Sequence, residues 1–182
     1  MKTLISVLVW GLISMNTFAA EISRDEAQIR SNLYGFSALA DHNAYEYLGR
    51  ILAPTVKVDY TSLFGGETEH VARAELMKRW AAFLPGFDLT FHQLNAINVQ
   101  VDDDSASASA DFIARHWVGD DGFWSVAGTY LFTLKRSDDQ WLITSITLTN
   151  PTEAGSRDVL SIAPERAAEL LSKRLSNRLG YQ

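Results

Sequence analysis

The stretch Ser105-Ala106-Ser107-Ala108-Ser109-Ala110-Asp111-Phe112-Ile113-Ala114-Arg115-His116-Trp117-Val118 alternates over its whole length. Successive side chains of a strand point to opposite faces, so Ala106, Ala108, Ala110, Phe112, Ala114, His116 and Val118 share one side. Apart from His116 that side is apolar, and it reads as buried. A helix would repeat its apolar positions every three or four residues, and this stretch does not. Downstream of the Asp120-Asp121-Gly122 turn, Trp124, Val126, Gly128, Tyr130, Phe132 and Leu134 repeat the alternation. With further turns at Asp102-Asp103-Asp104 and Ser137-Asp138-Asp139-Gln140, the chain from Asp88 onward predicts four consecutive antiparallel strands.

The chain before Asp88 is patterned differently. Ser23-Arg24-Asp25-Glu26 is a capping box, and Ile29, Leu33, Phe36 and Ala40 follow at helical spacing to a helix end near Asp41. Asn43 to Glu46 repeats the capping pattern, and a short second helix carries Leu48, Ile51 and Leu52 until Pro54 stops it. Val56 to Tyr60 alternates as a strand, Gly65-Gly66 breaks it, and Arg73 to Leu84 reads as a third helix closed by Pro85-Gly86. After Asn150-Pro151, Pro164 marks a helix start, with Ala168, Leu171, Leu175 and Leu179 at near-helical spacing. Helices grouped on one side of a curled antiparallel sheet make an α+β half-barrel, and its concave face is a natural pocket.

Composition narrows the function. The 182 residues have room for one domain. Sixteen Lys and Arg against 22 Asp and Glu leave a net charge of −6, which opposes a nucleic-acid partner. Met1-Lys2, the apolar run Leu4 to Met15, and the small residues ending at Ala19-Ala20 read as a secretory signal peptide cleaved after Ala19 or Ala20. The run is shorter than the ~20 residues that span a bilayer, so no stable membrane insertion is expected after cleavage. The organisation is then a signal at 1–20, a domain at 21–150 and a tail with an amphipathic helix at 151–182, in a periplasmic or secreted protein. There is no cysteine, which excludes disulfides, thiolate nucleophiles and Cys-ligated zinc. No Gly-rich phosphate loop, nucleophile elbow or closely spaced metal-ligand signature appears, so neither cofactor nor metal is expected.

Of the four histidines, His92 and His116 fall inside long strands. His116 lies on the face assigned to the interior, where a titratable ring is costly unless something pairs with it. His92 shares parity with Thr90 and Leu94, and a bulge near Asn95 would reverse every side chain beyond it. Two imidazoles beside a carboxylate could divide general-base and general-acid duties near neutral pH. Asp41 is the candidate carboxylate, against a plain helix-end role. His42 and His70 read as solvated turn residues. Tyr60 ends the first strand, where its phenol can reach a pocket mouth. Phe112, Trp80, Trp124 and Tyr130 are candidates to line a pocket for a small apolar or cyclic ligand, against the plainer reading as core aromatics.

Ala40-Asp41-His42-Asn43-Ala44-Tyr45-Glu46-Tyr47-Leu48, followed by Leu52-Ala53-Pro54-Thr55-Val56-Lys57-Val58-Asp59-Tyr60, resembles scytalone dehydratase and the wider SnoaL-like group. In that family an aspartate ends the first helix, a tyrosine follows an Ala-Pro-Thr helix stop, and two histidines lie on successive strands. Asp41, Tyr60, His92 and His116 match in order and spacing. The resemblance covers roughly Glu26 to Leu148 and implies the cone-shaped α+β barrel of the nuclear transport factor 2 superfamily. It also implies acid/base chemistry on a small cyclic carbonyl compound: Asp41 orients His116, His92 abstracts a proton, Tyr60 stabilises an enolate oxygen, and His116 protonates a departing hydroxyl. A homodimer through the outer sheet face is a further implication. The chain departs from the dehydratase pattern at Ala40, where the family has a second tyrosine, and at Tyr130 and Gly128, where it has asparagine and serine. A ligand-binding module of the same fold without catalysis is the rival reading.

Overall fold

A computed structural model of the protein describes residues 22–120 and 122–179, with side chains described as far as residue 174. The stretch read as a signal peptide lies outside the described residues. Helix α1 (Arg24–Asp41) opens the fold, with the Ser23 hydroxyl accepting from the Glu26 backbone N–H at 3.1 Å. Then come α2 (Tyr45–Arg50), strand β1 (Leu52–Asp59), the single turn α3 (Thr61–Phe64), β2 (Glu69–Ala72) and α4 (Arg73–Ala81). A 3-10 turn at Leu84–Gly86 leads into β3 (Leu89–Asp102), β4 (Ser105–Val118), β5 (Gly122–Ser137) and β6 (Gln140–Gly155), and α5 (Asp158–Leu179) ends the described chain.

The six strands form one sheet in the order β2-β1-β6-β5-β4-β3. The run from β3 to β6 is antiparallel throughout, as the alternation predicts. β1 returns beside β6 in parallel, and β2 pairs antiparallel with its outer side, so the sheet stays open at β2 and β3. The alternating face of β4 is buried from Ala106 to Val118, and on β5 Trp124, Val126, Phe132 and Leu134 point the same way. In β3 the register shifts between Asn95 and Asn98, with Ala96 at φ 47°. Leu94 is inward before the bulge and Ile97 after it, which is the parity change that one extra residue imposes.

Several expected boundaries differ. The second helix stops at Arg50, and Pro54 lies inside β1 rather than ending a helix. Asn43 does not cap α2; it takes φ 55° and its Oδ1 accepts from the Tyr45 hydroxyl at 2.7 Å. The turn α3 and strand β2 were not expected, because elements of four residues carry too little periodicity to read. His70 is exposed, as expected, but in β2 rather than a turn. α5 starts at Asp158 and contains Pro164, because Ser156 caps it earlier: the Ser156 hydroxyl accepts from the Asp158 N–H at 3.1 Å.

α1 lies across the concave side of the sheet. Its apolar stripe Ile29, Leu33, Phe36 and Ala40 is buried there. Its polar residues take backbone carbonyls at the two flanks: Arg30 donates to the Ile97 carbonyl at 2.7 Å, and Asn32 to the Trp141 carbonyl at 2.6 Å. Arg136 forks onto the Asp25 carboxylate at 2.9 and 2.7 Å, fixing the start of the helix to β5. The last residue of α1, Asp41, is thereby delivered to β3.

Among the described residues no helix is long and apolar enough to cross a membrane. α5 instead packs through Val159, Ala163 and Ala167 onto the 3-10 turn. The approach at Gly86 is so close that a Cβ there would lie 1.8 Å from the Ala163 carbonyl oxygen. Backbone meets backbone, so neither side can yield by a rotamer change. Gly86→Ala is therefore expected to destabilise the fold by roughly 1–3 kcal/mol in urea unfolding. Gly35→Ala in α1, where the added methyl would meet only Leu39 Cδ1 at 3.8 Å, serves as the control and is expected to be neutral or stabilising.

Candidate active site

The pocket opens between the concave sheet and the helices. Phe36, Ser37 and Ala40 reach it from α1, Leu63 and Phe64 from α3, and Trp80, Phe83 and Leu84 from α4 and the turn after it. The sheet contributes His92, Ala114, His116, Trp124, Val126, Tyr130 and Leu148, and Tyr60 stands at the end of β1. Its cavity of about 120 Å³ is close to the ~150 Å³ that accommodates benzene in a protein core, so it suits one ring. None of these lining residues carries a formal charge.

Asp41 and His92 form the polar centre. The Asp41 carboxylate receives the His92 ring at Nδ1 (2.5 Å), the His92 backbone N–H (2.8 Å) and the Thr90 hydroxyl (2.8 Å). Burial alone would raise the Asp41 pKa. The hydrogen bond and charge of His92, its backbone N–H and the Thr90 hydroxyl outweigh that and hold the carboxyl below its ordinary range. An ionised carboxylate only accepts, so His92 Nδ1 carries a proton. In the neutral ring the lone pair is then on Nε2. Both side chains are largely buried, at 13% and 17% exposed, so solvent screens the pair little.

His116 sits diagonally across the β3–β4 ladder, opposite Thr90 and two residues from the partner of His92. The two imidazoles meet edge to face at 5.2 Å between centroids. The expected roles are corrected here: Asp41 bonds to His92, and His116 Nδ1 is buried with no hydrogen-bond partner among the described residues. Thr90 and the His92 backbone amide lie directly beneath the last turn of α1, and Asp41 is captured there before it reaches β4. His116 is instead packed among Phe87 (4.7 Å) and Trp124 (5.0 Å). Desolvation, with the charge of His92, pushes its pKa down to about 3, against smaller opposing effects of the Trp124 backbone and Asp41.

The remaining expected residues divide by depth. Trp80, Trp124 and Tyr130 line the pocket, and Trp124 is anchored by its indole N–H donating to Glu153 at 2.8 Å. Phe112 does not line it: its ring stacks behind Tyr130 at 4.0 Å. Gly128 leaves the room for that ring, since a Cβ there would be 3.2 Å from Phe112 and 2.7 Å from the Thr149 carbonyl oxygen. Sequence reading missed Thr90, whose parity with His92 was the available signal, and Ser37, whose hydroxyl bonds the Tyr34 carbonyl at 3.1 Å beside the pocket. It also missed the clamp made by the start of the tail. Arg157 donates to the carbonyl of the lining residue Leu63 at 2.8 Å, and Arg166 to the Gly86 carbonyl, two residues after the lining Leu84, at 2.8 Å.

A profile of the SnoaL-like domain matches residues 21–147. No curated protein matches the chain. Among crystal structures, Kfla4162 from Kribbella flavida is similar at 26% identity and TM-score 0.67, with 71% of this chain and 93% of that one covered. A candidate scytalone dehydratase from Novosphingobium aromaticivorans is similar at 20% identity and TM-score 0.60, covering 72% and 87%. The type 2 hexachlorocyclohexane dehydrochlorinase LinA is similar at 14% identity and TM-score 0.56, covering 71% and 88%.

A histidine that is neutral when buried takes up a proton on unfolding at any pH below its ordinary value of 6.5. Stability should therefore fall as pH drops from 6.5 toward 3, by an amount on the order of a few kcal/mol. Urea midpoints measured across that range should fall less steeply for His116→Phe, and identical slopes would show that the ring is not held neutral.

Proposed function

The chain belongs to the SnoaL-like family of the nuclear transport factor 2 superfamily, and from that premise we propose that it is an acid/base lyase or isomerase acting on a small, uncharged cyclic carbonyl compound. The observation that carries this reading is the Asp41–His92 pair: an ionised carboxylate fixes the histidine tautomer, 2.5 Å away, at the wall of an otherwise uncharged pocket. A core histidine satisfied by a backbone carbonyl would have no use for such a partner. Similarity to proteins described as a dehydratase and a dehydrochlorinase supports elimination as the reaction type.

His92 Nε2 takes a proton from the carbon next to the carbonyl, and the resulting imidazolium is stabilised by Asp41. The electrons of the broken C–H bond pass to the carbonyl as an enolate, whose oxygen Tyr60 receives. Collapse of the enolate forms the C=C bond and expels hydroxide from the next carbon. His116 is neutral and cannot be the acid that protonates it, so the proton held by His92 returns to the hydroxide, and water leaves. One residue gives back what it took on one face of the ring, which makes the elimination syn. Without a leaving group the same proton returns at another carbon and the outcome is isomerisation.

The reading places the enzyme outside the cytoplasm as a homodimer. The charged start and apolar run of residues 1–20 and the lack of cysteine support export, and exposed Leu89, Phe91 and Leu131 on the outer sheet face support pairing. Protein recovered from periplasm or medium is expected to begin at Ala20 or Glu21 by N-terminal sequencing and to sediment at twice the chain mass. A monomer still carrying Met1 would remove both points.

Small cyclic ketones and hydroxyketones, screened by ligand-induced melting shift, should yield a binder that turns over. His92→Ala is expected to lower kcat by 10²–10⁴-fold, the range of general-base catalysis, and Asp41→Asn to do the same with little change in KM. Ligands that bind equally to both variants, with no turnover by any of the three proteins, would instead establish a binding module.

A further inference from the structure

Part of the pocket wall is held in place by residues that do not line it. Trp124 on β5 is 4% exposed, and a buried indole N–H needs an acceptor. Glu153 supplies it at 2.8 Å, and that bond decides which way the ring lies in the wall. The same carboxylate oxygen accepts from Arg157 Nε at 2.6 Å, and Arg157 also donates to the Leu63 carbonyl at 2.8 Å. Its guanidinium carbon lies 5.6 Å from the Phe64 ring centroid, within cation–π reach. Phe64 and Trp124 adjoin, 6.5 Å apart at a tilt of 36°, and both line the cavity. One ion pair therefore ties a strand and a helical turn into a single aromatic stretch of wall.

The chain is shaped to make this tie. Gly155 takes φ 83° at the end of β6, and the next N–H, of Ser156, donates to the Phe123 carbonyl at 2.9 Å, which brings Arg157 back toward α3. α3 is anchored at its start, where Asp59 accepts from the Thr61 hydroxyl at 2.7 Å. After Phe64 it runs into Gly65 and Gly66, at φ 71° and 79° with open space beside both, so the chain beyond α3 does not brace its far end. Exposed ion pairs contribute little to stability, and Arg157 and Glu153 are 50% and 31% exposed. What the pair supplies is position. We propose that Glu153 and Arg157 are specificity-determining residues: by fixing Trp124 and the end of α3, they hold the cavity to the capacity of a single ring. Both lie beyond residue 147, where the family match ends. Neither lines the cavity, so they are positioning residues that act through Trp124, Leu63 and Phe64.

This inference takes from the proposed function only that the pocket receives a small cyclic compound, and its test is binding at equilibrium. The probes are benzene and naphthalene, which carry no carbonyl. Isotopically labelled full chain is titrated with each by NMR, and the Trp124 indole N–H resonance is assigned by its loss in Trp124→Phe. The unaltered protein is expected to bind benzene about tenfold or more tightly than naphthalene, as a filled cavity discriminates by size. Arg157→Gln should narrow that ratio about fivefold by admitting naphthalene, with benzene affinity nearly unchanged. The Trp124 resonance should stay where it is in that variant, because Glu153 still accepts from the indole. Glu153→Ala should narrow the ratio at least as much and also move the resonance, because the indole and Arg157 both lose their partner. Unmoved indole resonances of Trp117 and Trp141 show that the fold is intact. Equal losses for both hydrocarbons would reduce the ion pair to packing. An unchanged ratio, or an unaltered protein that takes naphthalene as readily as benzene or binds neither, would show that the pair does not set capacity; each of these overturns the proposal. Turnover by His92→Ala tests the acid/base reading and does not enter the ratio, so the two readings fail separately.

Discussion

The hydrogen bond between Asp41 and His92 joins the last residue of a helix to the second layer of a sheet, and most of the architecture exists in a form that makes this possible. α1 must cross the concave face at one angle for its end to reach β3, and Asp25, Arg30 and Asn32 hold that angle from the other end. The carboxylate is buried enough to be expensive alone. It is tolerated because three donors from two residues of β3, the Thr90 hydroxyl and the ring and backbone amide of His92, converge on it. The same constraint explains why only one of the two strand histidines is paired with a carboxylate. His116, 5.2 Å away, has aromatic surroundings that hold it neutral.

That division of labour was only half legible in the amino-acid sequence. Strand alternation located β3 to β6 and the inward face carrying His116, because period-two patterning over fourteen residues has no other reading. The helix ending at Asp41 was legible from its capping and its stripe. Which imidazole the carboxylate takes was not, since His92 and His116 occupy the same face of paired strands and differ by a few ångströms in depth. Spacing along a chain does not encode a difference of that size. The preference is decided by Thr90, an ordinary strand residue until the end of α1 lies over it. Phe112 shows the same limit from the other side: its parity is correct, but Tyr130 lies between it and the cavity.

The pocket sets a few polar groups in an apolar wall. Ser37, His92, His116, Tyr60 and Tyr130 line it together with Phe36, Trp80, Trp124 and Val126. Low dielectric strengthens what each polar group does to a bound molecule and penalises any charge that arrives without a partner. With no Lys, Arg, Asp or Glu on the cavity wall, a charge that arrives there finds no countercharge.

The family match ends at residue 147, yet the chain continues β6 to Gly155 and then packs α5 against the 3-10 turn. Arg157, just before that helix, bonds the carbonyl of the pocket-lining Leu63, and Arg166 within it bonds the Gly86 carbonyl. The stretch beyond the family match is thus part of the pocket's own wall. A unit excised at residue 147 would lose Leu148 from that wall and the Glu153 carboxylate that fixes the Trp124 indole.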